Sequence, residues 1–108
     1  MYDTTRLSGL FERSLPFFTA LGDEVRQQLL LLMMDGVPRS VAELTMHTQL
    51  SRPAISHHLK ILKQAGMIDE QKKGRHIYYH PKLGQYYEVI KTLIDEIDCA
   101  THHRKEHV

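Results

Sequence analysis

Between Arg6 and Leu21 the apolar side chains fall at Leu7, Leu10, Phe11, Leu15, Phe18 and Leu21. That is a 3.6-residue rhythm, and it predicts a helix that Pro16 breaks or kinks. Gly22 ends it, and Asp23 with Glu24 places acids in the positive first turn of a second helix running to about Asp35. Its buried stripe is read as Val25, Leu29, Leu32 and Met33. Gly36, Val37 and Pro38 interrupt the pattern, after which Ser40 and Glu43 have capping-box spacing for a short helix through Val41, Leu44 and His47. After a tight turn, Ser51 is a second N-cap, and Pro53 falls where a missing N–H costs little. A helix is expected from Arg52 to Ala65, with Ile55, Leu59 and Leu62 inward and Gly66 as its left-handed stop.

Beyond Gly66 the period changes. Met67 and Ile68, then a polar run, then Ile77, Tyr78 and Tyr79 predict two short strands around a Lys73-Gly74-Arg75 turn. From about Leu83 to Ala100 helical spacing returns through Tyr86, Val89, Ile90, Leu93, Ile94 and Ile97. This stripe is wider than one packed face requires, which points to a subunit interface, although core packing alone is the alternative. Residues 101–108 are expected to form a frayed, flexible tail. The fold class is therefore mainly α with a small β-hairpin (α+β): four helices, two strands and a fifth helix. A short helix, a turn and a longer helix make a helix-turn-helix, and the hairpin behind it makes a wing.

At 108 residues, 42% hydrophobic and 25% charged, the chain has the length of one domain and enough apolar side chains to fold. A chain this short buries only about two thirds of its unfolded surface, so association into a homo-oligomer is favoured. One cysteine excludes an internal disulfide and the paired Cys-x-x-Cys of a zinc ribbon. The longest apolar run, Leu29 to Met34, is far short of the roughly 18 residues a membrane span needs, and no signal-like segment opens the chain. A cytoplasmic protein without a membrane partner is expected.

The formal net charge of +1 conceals an uneven distribution. Residues 1–50 carry −2 and residues 77–100 carry −2, while residues 51–76 carry +4. The positive field coincides with the second helix of the helix-turn-helix and with the wing, where an anionic duplex would be attracted. Opposite the apolar stripe of that helix lie Arg52, Ser56, His57, Lys60, Lys63 and Gln64, able to donate to guanine edges or to phosphates. Ser51 is a cap that can also touch phosphate, whereas His58, beside the inward Leu59, is read as structural. The wing tip presents Lys72, Lys73, Arg75 and His76, with Gly74 free to take the positive φ of a tight turn.

These residues resemble the ArsR/SmtB family of bacterial winged-helix repressors over about residues 15–80. The likeness rests on FTALGDEVRQQLLLLM, on VAELTMHTQLSRPAISHHLKILKQAGMI and on KKGRHIYYH. It implies a homodimer paired through its first and last helices, leaving an imperfect palindromic operator when an inducer binds. It also implies that Arg52, Ala54, Ser56, His57 and Lys60 face DNA while the wing holds phosphate.

The inducer sites of the family are poorly matched. The stretch corresponding to its Cys-x-Cys metal site is Glu43-Leu44-Thr45-Met46-His47, without a thiol. Its zinc-ligand positions on the last helix fall at Lys82 and Gly84 and at Asp95 and Asp98, and its sulfide sensors need two cysteines. What remains is a tail containing Asp98, Cys99, His102, His103 and His107, whose donors suit a zinc, nickel or cobalt inducer. The alternatives are incidental histidines with a non-metal effector or none. A winged-helix module used only for protein association is the second functional class. An enzyme built on Cys99 and a neighbouring histidine is not expected, because the last helix offers no evident oxyanion donors.

Overall fold

The computed structural model describes the backbone of residues 3–106 and the side chains of residues 3–102. In chain order its elements are α1 (Thr5–Leu21), α2 (Glu24–Leu31), β1 (Arg39–Ser40), α3 (Val41–Met46), α4 (Arg52–Gln64), β2 (Ile68–Lys73), β3 (His76–Pro81) and α5 (Gly84–Glu106). The chain forms two compact units, one of residues 17–83 and the other of the terminal segments up to residue 16 and from residue 84.

In the 17–83 unit, polar caps decide where helices begin. Asp23 accepts the Val25 and Arg26 amides through Oδ1 at 2.8 and 3.1 Å. Ser40 Oγ accepts the Glu43 amide while Glu43 Oε1 accepts the Ser40 amide, both at 3.2 Å, so the expected capping box is complete. Ser51 Oγ accepts the Ala54 amide at 3.3 Å, with Pro53 in the first turn of α4. At the other end of α4, the Gly66 amide reaches the Lys63 carbonyl and the Met67 amide the Leu62 carbonyl, both at 2.9 Å, with Gly66 at φ +74°. This is a Schellman stop, and it turns the chain from helix into strand.

Ile55, Leu59 and Leu62 of α4 are buried, together with Ala20, Leu29, Leu30, Met33, Leu44, Met67 and Ile68. Helices α2 and α3 and strand β2 pack on α4. The sheet is antiparallel in the order β1-β3-β2. Lys73 pairs with His76 across a two-residue turn whose first member, Gly74, has φ +63°. Only the first turn residue has positive φ, which is the type II′ signature suited to twisted hairpins.

The structure departs from the periodicity reading at several points. Helix α1 continues through Pro16, which removes one amide donor without ending the helix. Helix α2 stops at Leu31, because the Met33 and Met34 amides turn back to the Leu30 and Leu31 carbonyls in tighter i to i+3 bonds before Gly36. His47 caps α3 instead of extending it. A third strand, β1, joins the hairpin through Arg39 opposite Tyr79 and Ser40 opposite Tyr78. Helix α5 runs six residues past Ala100.

In the terminal unit Leu10, Tyr86 and Leu93 are buried, as is Ser14, whose hydroxyl donates to the Leu10 carbonyl at 2.8 Å. Arg6 pairs with Glu96 at 3.3 Å. Phe11, Leu15, Tyr87, Ile94 and Ile97 are exposed. Among the described residues no helix is long and apolar enough to cross a membrane.

Candidate nucleic-acid interface

With Ile55, Leu59 and Leu62 turned into the core, helical geometry sends Arg52, Ser56, His57, Lys60, Lys63 and Gln64 to the opposite side, and all six are exposed. Ala54 is half-buried on the first turn, and Ser51 is exposed at the cap. The Ser51 hydroxyl is engaged by the Ala54 amide, so capping is its structural role. Lys63 is not a free donor: its ammonium is bonded to Glu70 of β2, and that hydrogen bond holds its pKa above the usual lysine value. The contact ties the last turn of α4 to the wing.

The wing sorts its charges by position. At the open end, Asp69 pairs with Lys82 at 3.9 Å and Glu70 with Lys63, while the Lys82 amide bonds the Met67 carbonyl at 2.8 Å. Toward the tip Lys72, Lys73, Arg75 and His76 are exposed, and among the described residues the three cations make no ion pair. The His76 and Tyr78 rings meet edge-on on one side of β3, with centroids 6.4 Å apart. The acids of the hairpin are thus compensated within the protein, and its tip is left positive. Arg52 and Lys60 likewise make no ion pair among the described residues.

One element of the site was not anticipated. Arg26 of α2 donates from Nε to the Ala20 carbonyl at 2.6 Å and from Nη2 to the Thr19 carbonyl at 3.2 Å, and its Nη1 lies 3.3 Å from Nδ1 of His58 on α4. His58 is half-buried, in line with its structural reading, but its partner is a cation. The Asp23 carboxyl is held below the usual aspartate range, first by the Arg26 amide that it accepts. The sequence carried only a faint signal for this link, the upstream Arg26 in GDEVR, because its partner lies 32 residues away.

On α5 the residues expected to attract a metal are only partly brought together. His102 Nδ1 lies 3.2 Å from Asp98 Oδ1, as their i, i+4 spacing requires, and Cys99 is exposed on the same helix. The side chain of His103, and His107 altogether, lie outside the described residues. Among the described residues no group of three or more His, Cys, Asp or Glu side chains could hold an ion. Two donors do not close a tetrahedral site.

The family described as bacterial regulatory protein, arsR family, matches residues 23–70, from the Asp23 cap into β2. The transcriptional repressor SdpR of Bacillus subtilis is 42% identical over 62 residues, covering 57% of this chain and 68% of that protein. The chain belongs to the arsR family. The arsenic resistance transcriptional regulator ArsR1 of Pseudomonas putida is 36% identical over 81 residues, covering 72% of this chain and 63% of that one. Among solved structures, an ArsR-like transcriptional regulator from Rhodococcus sp. RHA1 superposes with a TM-score of 0.80 at 26% identity, covering 93% of this chain and 90% of its own. The arsR chain described here is accordingly a winged helix-turn-helix, DNA-binding transcription regulator, and its relatives are regulators and not enzymes. Regulators named for arsenic, mercury and cadmium resistance occur among them.

Proposed function

We propose that the chain acts in the cytoplasm as a homodimeric repressor, each copy a single winged helix-turn-helix domain. It binds an imperfect palindromic operator whose half-sites lie whole helical turns, about 34 Å, apart. Helix α4 enters the major groove, with Arg52, Ser56, His57 and Lys60 at base edges or phosphates, Ala54 against a base and Ser51 at the backbone. Lys72, Lys73, Arg75 and His76 follow the neighbouring phosphates. The observation that carries this reading is the wing tip, whose three cations have no ion-pair partner among the described residues while the acids behind them are paired.

Dimerisation through the first and last helices is supported by the exposed Phe11 and Leu15 on one helix and Tyr87, Ile94 and Ile97 on the other. A released state is part of the same reading. Relatives named for arsenic, mercury and cadmium resistance make a metal ion one candidate inducer. A non-metal effector is the alternative, separated by whether zinc, nickel or cobalt releases the bound duplex.

The deciding experiment is titration of a labelled duplex from upstream of its own gene at several salt concentrations. Affinity should fall with a log-log slope of about −0.9 per phosphate contacted. Arg52→Ala should weaken specific binding by about tenfold or more, and replacing the tip cations should flatten the salt slope. Absence of salt-sensitive duplex binding would instead favour a protein-association module.

A further inference from the structure

We infer that the Arg26–His58 contact is a proton-sensitive brace on α4, closed while the imidazole is neutral and opened when it gains a proton. The inference rests on the reading that α4 enters DNA. Arg26 is fixed from behind: its Nε and Nη2 satisfy the Ala20 and Thr19 carbonyls at the end of α1, and its side chain is only 12% exposed. Of the N–H groups left over, those on Nη1 are the ones beside His58. A guanidinium has no acceptor and does not lose its proton in proteins, so the 3.3 Å contact requires Nδ1 of His58 to accept. The ring must then be neutral, with its proton on Nε2. A second proton sets N–H against N–H and cation against cation.

The surroundings give the protonated ring somewhere to go. From α2, Asp23 Oδ2 lies 4.0 Å from Arg26 Nη1, and its charge also feels His58. From α4 itself, the His57 ring stands edge-on at 5.6 Å between centroids. Helix α3 and strand β2 also pack on α4, yet among the described residues neither bonds a titratable group to the ring. The charged contact between α4 and β2 is Lys63 with Glu70, more than one turn farther on. A proton on His58 therefore breaks the Arg26 contact, and the Asp23 carboxylate beside Arg26 is the counter-charge on that side. Leu59, the next residue, is a core anchor of α4, and His57, the preceding one, is exposed on its DNA-facing side. Movement of the ring is thus passed to the seat of the helix and to the face that reads bases.

The sign of the effect separates this histidine from the others. His57 and His76 are exposed on the DNA-facing elements, so their protonation should tighten binding, whereas protonation of His58 should loosen it. The test compares the full-length chain with His58→Asn, whose Oδ1 takes the place of Nδ1 as an acceptor that does not titrate. On a labelled duplex from upstream of its gene the two should bind alike at pH 8. At pH 5.5 the wild type should be weaker by about tenfold, the scale of a hydrogen bond to a charged group. In an Arg26→Met background, His58→Asn should no longer change the pH dependence of binding. A wild-type to variant ratio that stays constant across this range overturns the brace, and so does a ratio that persists with Arg26→Met. If the wild type binds no duplex, the DNA reading fails, and the brace is judged in the free protein by the 15N shifts of the His58 ring. An Nδ1 shift at pH 8 that changes on Arg26→Met, with the proton on Nε2, supports it; a proton on Nδ1, or a shift that ignores Arg26→Met, overturns it.

Discussion

In the 17–83 unit Leu29, Met33, Leu44, Ile55, Leu59, Leu62 and Met67 are fully enclosed, whereas the terminal unit encloses Leu10, Tyr86 and Leu93 and leaves Phe11, Leu15, Tyr87, Ile94 and Ile97 in water. The middle unit has its own exposed apolar side chains, such as Leu31 and Met46, but these flank a core closed from several directions. The terminal unit has only two helical segments to close with, so much of its apolar surface has no cover from within the unit. The difference separates two tasks. A closed unit suits holding α4 and the wing in fixed register, while the open one carries the surface that the proposed dimer would cover.

The strongest way to break the comparison is to open the closed core. Leu59→Ala removes a side chain that is 2% exposed at the centre of α4 and should cost about 2–5 kcal/mol in chemical denaturation. Loss of under about 1 kcal/mol would mean that the middle unit is not a tightly packed platform. The second way is to charge the open face. Ile94→Lys, at a position 59% exposed, should leave the middle unit folded while removing about 1.5–3 kcal/mol from self-association. If the proposed dimer forms through this face, sedimentation should show the variant as monomer at concentrations where the wild type sediments as a dimer. A variant that sediments unchanged would move the subunit interface elsewhere.

Helix boundaries sharpen the contrast at a smaller scale, and they explain what periodicity could and could not foretell. Ser40 with Glu43, Ser51 and Gly66 announce their roles because a cap depends on residues within three positions of it. The stop of α2 at Leu31 was hidden inside the run from Leu29 to Met34, which contains no punctuating residue. Strand β1 was illegible because two residues make a strand only when Tyr78 and Tyr79 are brought alongside. The exposed side of α4 was readable from the Ile55, Leu59 and Leu62 stripe, but the diversion of Lys63 to Glu70 and the Arg26–His58 link are tertiary facts. Ser51→Ala should cost about 1 kcal/mol of stability through the lost bond to the Ala54 amide. Thermal melts of the variant and of Ser51→Asp, which restores a cap, should separate this loss from any phosphate contact. Stability should return with the aspartate, while DNA affinity should not, since a carboxylate repels phosphate.

The smallest expected effect concerns pH and the start of α2. The Asp23 carboxyl is depressed below its usual pKa of 3.8, chiefly by the Arg26 amide it accepts, so the folded state favours its charged form more than the unfolded chain does. The sign follows from linkage: the contribution is fully present above 3.8 and is lost as pH falls through the lower folded value. Asp23→Asn keeps a side chain that caps well but does not titrate. With His58→Asn as the common background, the gap in stability that Asp23→Asn opens should therefore be constant from pH 7 to 5 and shrink below pH 4. Because the carboxyl is solvated, the change should be slight beside the Leu59 and Ile94 effects. A gap that does not move between pH 5 and 3 would mean that the Asp23 charge contributes nothing to the α2 cap beyond its shape.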